Sequence, residues 1–183
     1  MPRTRPCSLL AKPVTHSAIV VDYLRQKAPS LAAELAWFAQ RQANTAALER
    51  VTKARGKNGK RLPHQRRLLR TVSSQAFSSL SAILPRLMQA KNFSTLHTEI
   101  EKALGHIRGS GPLFVYDTSL RFGAFLNMFP QDVYLHAGAE KGAKRVLLRR
   151  PNPIEPVTNF PGAFAQLNAC QIENLLCCYS ECL

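Results

Sequence analysis

From Arg50 to Thr98 the chain contains no aspartate or glutamate, yet that stretch carries eleven basic residues: Arg50, Lys53, Arg55, Lys57, Lys60, Arg61, Arg66, Arg67, Arg70, Arg86 and Lys91. Like charges at this density repel one another and add nothing to a core, so they belong on a surface and make one face of it strongly positive. The remaining 14 basic residues are nearly balanced by all 11 acidic ones. A chain kept soluble by charge alone would intersperse the signs. The formal charge of +14 over 183 residues is therefore largely local, and it favours polyanionic partners.

The composition, 45% hydrophobic and 20% charged, is too apolar for intrinsic disorder, and no run of eighteen apolar residues offers a membrane span. A mainly α, multi-helix globular fold without a membrane partner is expected. Thr15 caps a helix to about Lys27, ended by Ala28-Pro29-Ser30; Ser30 caps a longer helix, with Leu31, Leu35, Trp37 and Phe38 on its apolar stripe, that runs to Arg55 and stops at Gly56. Lys57-Asn58-Gly59-Lys60 is an exposed basic turn. Pro63 permits a new helix start, and Leu68, Leu69, Val72, Leu80, Ile83, Leu84, Leu87 and Met88 continue in helical spacing with a kink before Pro85. The domain reading is a basic arm over 1–13, a helical domain over 14–149 containing the basic tract 50–91, a proline-rich extended connector over 150–161, and a C-terminal helix within 162–183 that packs on the domain. At most one short strand is expected, near 133–136.

The segment 94–126 carries the most recognisable pattern. Ser94 caps a helix with Leu96, Ile100 and Leu104 on one face, Gly105 to Gly111 is a tight connection, and Pro112 starts a second helix continued by Val115, Ser119, Phe122 and Leu126. Its centre, Ile107-Arg108-Gly109-Ser110-Gly111-Pro112, resembles the helix-hairpin-helix motif of DNA-binding and DNA-repair proteins, whose hairpin reads apolar-x-Gly-apolar-Gly. The chain departs from it in polar Ser110 and in Val115, where a small residue is common. The resemblance implies contact with DNA. The chemistry independently suits a polyanion: glycines leave no Cβ between the backbone amides and a phosphate oxygen, the next helix adds its positive end, and Arg108 adds a charge.

Catalytic constellations are sparse. Tyr116-Asp117-Thr118-Ser119-Leu120-Arg121 resembles the Asp-Thr segment of the helix-hairpin-helix glycosylases, whose aspartate is catalytic, but Asp117 falls only six residues after Gly111, short of that superfamily's complete intervening helix. Asp117 and Arg121, at i and i+4, are spaced for a helix-surface ion pair. Gly138, Gly142 and Lys144 lack the Walker spacing and following hydroxyl, and read as close helix packing. His136 with Glu140 is an acid–base pair only if both share a helix face. The five histidines form no zinc pattern, and three scattered aspartates do not make a two-metal site. No metal, cofactor or reaction is assigned, and Asp117 is the one candidate for an enzymatic alternative, a glycosylase or lyase acting on DNA.

Cys7, Cys170, Cys177, Cys178 and Cys182 are odd in number, with four near the C-terminus, and lack zinc-ribbon spacing. They read as small apolar residues of a helix that Asn168 and Gln171 open as a capping box, in a reducing, cytoplasmic or nucleoid-associated setting. The first 21 residues hold no acid, but Pro2, Pro6 and Pro13 interrupt the amphipathic helix of a transit peptide. No aromatic residue lies between Arg50 and Ala76, so the tract is suited to phosphates rather than to stacking on bases. The expectation is a protein that binds double-stranded DNA in preference to RNA, without sequence choice. Lys57, Lys60, Arg61, Arg66, Arg67 and Arg70 would contact the backbone, with Arg108, Gly109 and Gly111 at the hairpin. A second alternative is an accessory subunit that docks on an acidic protein or ribonucleoprotein, or through its C-terminal helix.

Overall fold

The computed structural model describes residues 15–62, 65 and 69–183. The arm 1–13, the helix start at Pro63, and Arg66, Arg67 and Leu68 lie outside the described residues. Among the described residues there are nine α-helices and one two-stranded sheet, so the chain is mainly α. It divides into two compact units: Ala32–Pro130, and the residues up to Leu31 together with Gln131–Leu183.

The first helix, α1 (His16–Gln26), is capped by Thr15, whose side chain accepts the Ala18 amide at 3.2 Å. α2 (Ala28–Phe38) follows after one residue and spans the unit boundary. Ala28-Pro29-Ser30 thus opens a helix instead of separating two, because a proline in the first turn has no amide to lose. The expected helix from Ser30 to Arg55 is also two. α2 stops at Phe38, and α3 (Asn44–Lys53) begins after a five-residue break. The break is held from outside the helix: Arg50 donates to the Trp37 carbonyl at 3.0 Å, its guanidinium lies 4.3 Å from the Trp37 ring centre, and the Trp37 indole donates to the Arg55 carbonyl. α3 ends on Ala54 in the left-handed region, φ 48, two residues before the expected Gly56.

α4 (Arg70–Ala82) and α5 (Leu84–Met88) are separated at Ile83, two residues before Pro85, which sits in the first turn of α5, where it has no intrahelical amide bond to lose. α6 (Phe93–Leu104) is capped by Asn92, which accepts the Thr95 amide, and not by Ser94. α7 (Pro112–Leu126) ends on left-handed Asn127. Leu48 and Val51 of α3, Leu80 of α4, Leu96, Ile100 and Leu104 of α6 and Phe122 of α7 are all buried in the one core of this unit. Leu69, expected to join them, is 66% exposed.

The other unit has its own core. β1 (Asp132–Tyr134) pairs antiparallel with β2 (Ile154–Pro156), Val133 opposite Glu155. The proline-rich stretch is therefore more than an extended connector: it supplies a strand and a short 3-10 turn, Val157–Asn159, and is followed by a second, Gly162–Phe164. α8 (Ala137–Leu147) packs on α9 (Ala169–Cys178) through small residues; a Cβ on Gly142 would stand 2.4 Å from the Leu176 carbonyl oxygen, so only glycine permits this approach. Asn168 and Gln171 form the reciprocal capping box of α9. Ile172, Leu175 and Leu176 are buried with Ile19, Val20, Phe164 and Tyr179.

Candidate functional site

The basic turn is built by the backbone. Arg55 and Arg61 pair as an isolated antiparallel bridge, Gly56 donates to the Lys60 carbonyl at 3.0 Å, and Gly59 donates to the Gly56 carbonyl at 2.9 Å. Arg55 closes the loop from the side through the Gly59 carbonyl. The closing bonds are made by main chain, by Arg55 and by the Asn58 side chain, which accepts from the Lys60 amide, and the side chains of Lys57 and Lys60 stay exposed at the tip. Arg61 turns the other way and reaches the Ser73 hydroxyl on α4 at 3.5 Å.

The glycine connection reaches the same part of α4. Gly109 has φ +95, a conformation that side chains disfavour, and a Cβ there would lie 3.2 Å from a methyl of Val72. Val72 and Ser73 are neighbours, and Arg70 is the first residue of their helix. Arg61, Arg70 and Gly109 are thereby brought together around the first turn of α4. Arg108 and Gly111 are exposed on the same connection, and a Cβ on Gly111 would meet nothing within 4 Å.

The electrostatics of this region are one-sided. α4 begins after Leu69, whose side chain caps nothing, and its first turn contains no acid but does contain Arg70. α7 begins after Gly111, again without a side-chain cap or first-turn acid. Each helix start carries a partial positive charge that an anion would satisfy and a neighbouring arginine does not, although at α7 Pro112 has no amide and the Phe114 amide is already bonded to the Gly111 carbonyl. Lys57, Lys60, Arg70 and Arg108 make no ion pair among the described residues.

Several other basic residues are already occupied. In the tract, Lys53 pairs with Glu49, Arg86 with Glu99 at 3.2 Å, and Arg50 is held on Trp37. In the second unit Lys141 and Arg145 share Glu181, Lys144 pairs with Glu140 at 2.8 Å, and Arg149 grips Glu155 with both arms at 2.7 and 2.8 Å. Lys53–Glu49 and Lys144–Glu140 are i,i+4 pairs, whereas sequence spacing gave no sign that Lys141 and Arg145 are paired, because Glu181 lies far along the chain from both. Arg55, which holds the turn, was also not singled out; its place opposite Arg61 across a Gly-Lys-Asn-Gly-Lys turn is the signal that would have found it.

The enzymatic candidates are placed differently. Asp117 is nearly buried and accepts from the Gln65 amide at 2.6 Å and from Arg121 at 3.2 Å, while Arg121, 2% exposed, also donates to Glu34 at 3.0 Å. Asp117 therefore holds a buried guanidinium in place. His136 faces Glu173 at 3.5 Å, whereas Glu140 lies with Lys144, so the His136–Glu140 pair is not formed. Burial pushes the Cys170 thiol up to about 11 and raises Cys178 as well, which keeps both protonated at neutral pH. Cys182 is disulfide-bonded, and so is not one of the thiols read from the sequence. No group of three or more metal-ligating side chains gathers among the described residues. No helix there is long and apolar enough to cross a membrane. No protein-family model, curated protein or solved structure shows significant similarity to this chain.

Proposed function

We propose that this protein binds nucleic acid through its phosphates, with duplex DNA as the favoured ligand and little choice of sequence. One observation carries the reading: Arg61, Arg70 and Gly109 meet at the uncapped start of α4, beside exposed Lys57, Lys60 and Arg108, and Lys57, Lys60, Arg70 and Arg108 make no ion pair among the described residues. Phosphate oxygens fit such a surface, since lysine and arginine charges, helix starts and side-chain-free amides all favour them. Arg66 and Arg67 extend the same proposal by sequence. The tract offers no aromatic platform between Arg50 and Ala76, which favours a duplex over a single strand.

The alternatives have less support. Asp117 is committed to Gln65 and Arg121, and the apolar face of α9 is spent on its own core. An acidic protein partner would have to use the same basic region.

The test is fluorescence anisotropy with labelled duplex DNA, single-stranded DNA and RNA of equal length at several salt concentrations. Duplex binding with a log K against log salt slope of about −4 or steeper, corresponding to roughly four to five phosphates, supports the reading. Arg70→Gln is expected to weaken binding evenly across sequences and reduce that slope by about one. Weak binding to all three at moderate salt refutes it.

A further inference from the structure

Asn58 and Gly59 occupy the tip of the basic turn between Lys57 and Lys60, and all four residues are exposed. Gly59 has φ +70, carries no side chain to crowd a ring closure, and has open space on its Cβ side, where nothing lies within 4 Å. The Lys60 amide donates to the Asn58 side-chain oxygen at 3.0 Å. That bond polarises the Asn58 side-chain carbonyl and would stabilise the oxyanion formed if a nucleophile attacked it. The two lysine charges also favour an anionic amide nitrogen between them.

We propose that Asn58-Gly59 is a self-modification site at which Asn58 deamidates, placing a negative charge in the middle of the phosphate-binding tip. The Gly59 nitrogen attacks the Asn58 side-chain carbon, a carbon–nitrogen bond closes the succinimide ring, and the side-chain nitrogen leaves as ammonia with the proton that Gly59 gives up. Water then opens either ring bond, giving aspartate or isoaspartate. No oxidant, reductant or cofactor is consumed. The Gly59 N–H bond to the Gly56 carbonyl, 2.9 Å, belongs to an exposed turn, and the reaction runs through molecules in which that bond has opened. The new carboxylate stands between Lys57 and Lys60, on the turn that Arg55 closes, and occupies charge that a phosphate would otherwise meet. This effect on binding rests on the function proposed above; the chemistry of the turn does not.

The experiment ages the full chain in warm, mildly alkaline buffer and cuts it with an arginine-specific protease, which frees residues 56–61. The expected result is a peptide about one dalton heavier that separates into two isomers, with one ammonia released per chain. Asn58→Gln should abolish the change. If the 56–61 peptide keeps its mass in the folded chain while the denatured chain converts, the site is overturned. In the second arm, Asn58→Asp is compared with Asn58→Gln for duplex binding. Asn58→Asp should lower the salt slope by about 0.9 and the affinity roughly eightfold at about 0.1 M salt. Equal binding by the two variants overturns the charge switch. A wild-type chain that ages as expected but binds no duplex overturns the proposed function and the switch with it, leaving the modification standing.

Discussion

Replacing Gly109 and Gly111 separately with alanine distinguishes a corner from a phosphate site. At Gly109 an L-residue must adopt φ +95, outside the regions side chains favour, and its Cβ would press on Val72 at 3.2 Å. Strain of this kind costs about 1–3 kcal/mol. Gly109→Ala should therefore lower the urea midpoint visibly. Gly111 sits at φ −81 and ψ 171, which any residue adopts, with open space around it. Alanine is a poorer helix cap there by several tenths of a kcal/mol, but it also reduces the freedom of the unfolded chain by about 0.4–1 kcal/mol, so stability should change by no more than about 0.5 kcal/mol. Binding should behave differently. A methyl group between the start of α7 and a phosphate displaces a charge-assisted hydrogen bond worth about 1.5–3 kcal/mol, roughly a 10- to 150-fold loss of affinity. No lysine or arginine is removed, so the salt slope should stay unchanged. Urea denaturation and duplex anisotropy of both variants provide the assay. If Gly111→Ala binds as tightly as the parent, the amides of this connection are not at a phosphate. If Gly109→Ala is as stable as the parent, the seating of the connection on α4 is wrong.

Three further predictions concern the framework. Glu155 is fully buried, and the Arg149 fork first, then the Asn152 amide and the Asn159 side chain, hold its carboxyl at about 2 against the burial that opposes ionisation. A carboxyl depressed in the folded state stabilises above its unfolded value near 4.5 and loses that contribution as pH falls toward 2, so thermal unfolding scanned across that window should show a loss that Glu155→Gln abolishes. The variant should be roughly 2 kcal/mol less stable at neutral pH, since Arg149 remains half-exposed and is not stranded. Asp117→Asn removes one of the two carboxylates that hold buried Arg121 and should cost about 1–3 kcal/mol in urea unfolding while duplex affinity is retained; unchanged stability would contradict the buried network. Gly142→Ala drives a methyl into the Leu176 carbonyl and should cost about 1–3 kcal/mol, whereas Gly162→Ala, with open space, should not register in the same melts.

The features legible in the sequence are those decided within a few residues. Thr15 caps α1, Asn168 and Gln171 close their box, Pro85 in the first turn of α5 marks the break after α4, and Gly142 permits the approach of α8 to α9, each through local geometry or one missing side chain. The features that were not legible depend on partners distant in sequence. Alanine-, leucine- and glutamate-rich residues 30–55 favour helix throughout, and the break at 39–43 is held by Arg50 reaching back to Trp37. The three-residue strands have too little pattern to announce themselves; their register comes from a partner some twenty residues away. Asp117 and Arg121 were legible as a pair, but their burial with Glu34 and Gln65 was not. The basic residues at the site were all legible as charges. Which of them remain unpaired was not, because that depends on where the few acids fold.

That distribution of acids explains why the two basic clusters differ. Glu140, Glu155 and Glu181 lie within reach of the cluster at 141–150 and pair with four of its members. At the edges of the acid-free tract, Glu49 pairs with Lys53 and Glu99 with Arg86. Its middle, residues 55–70, holds seven basic residues and no acid, and water and salt must screen whatever the fold does not pair. The exposed pairs of Lys141, Lys144 and Arg145 contribute at most about 1 kcal/mol each, so apart from the buried Glu155 the cluster at 141–150 gains little stability from its pairing. Unpaired charge around an uncapped helix start costs self-repulsion, a cost that the binding proposed above would recover as a polyanion displaced the screening ions.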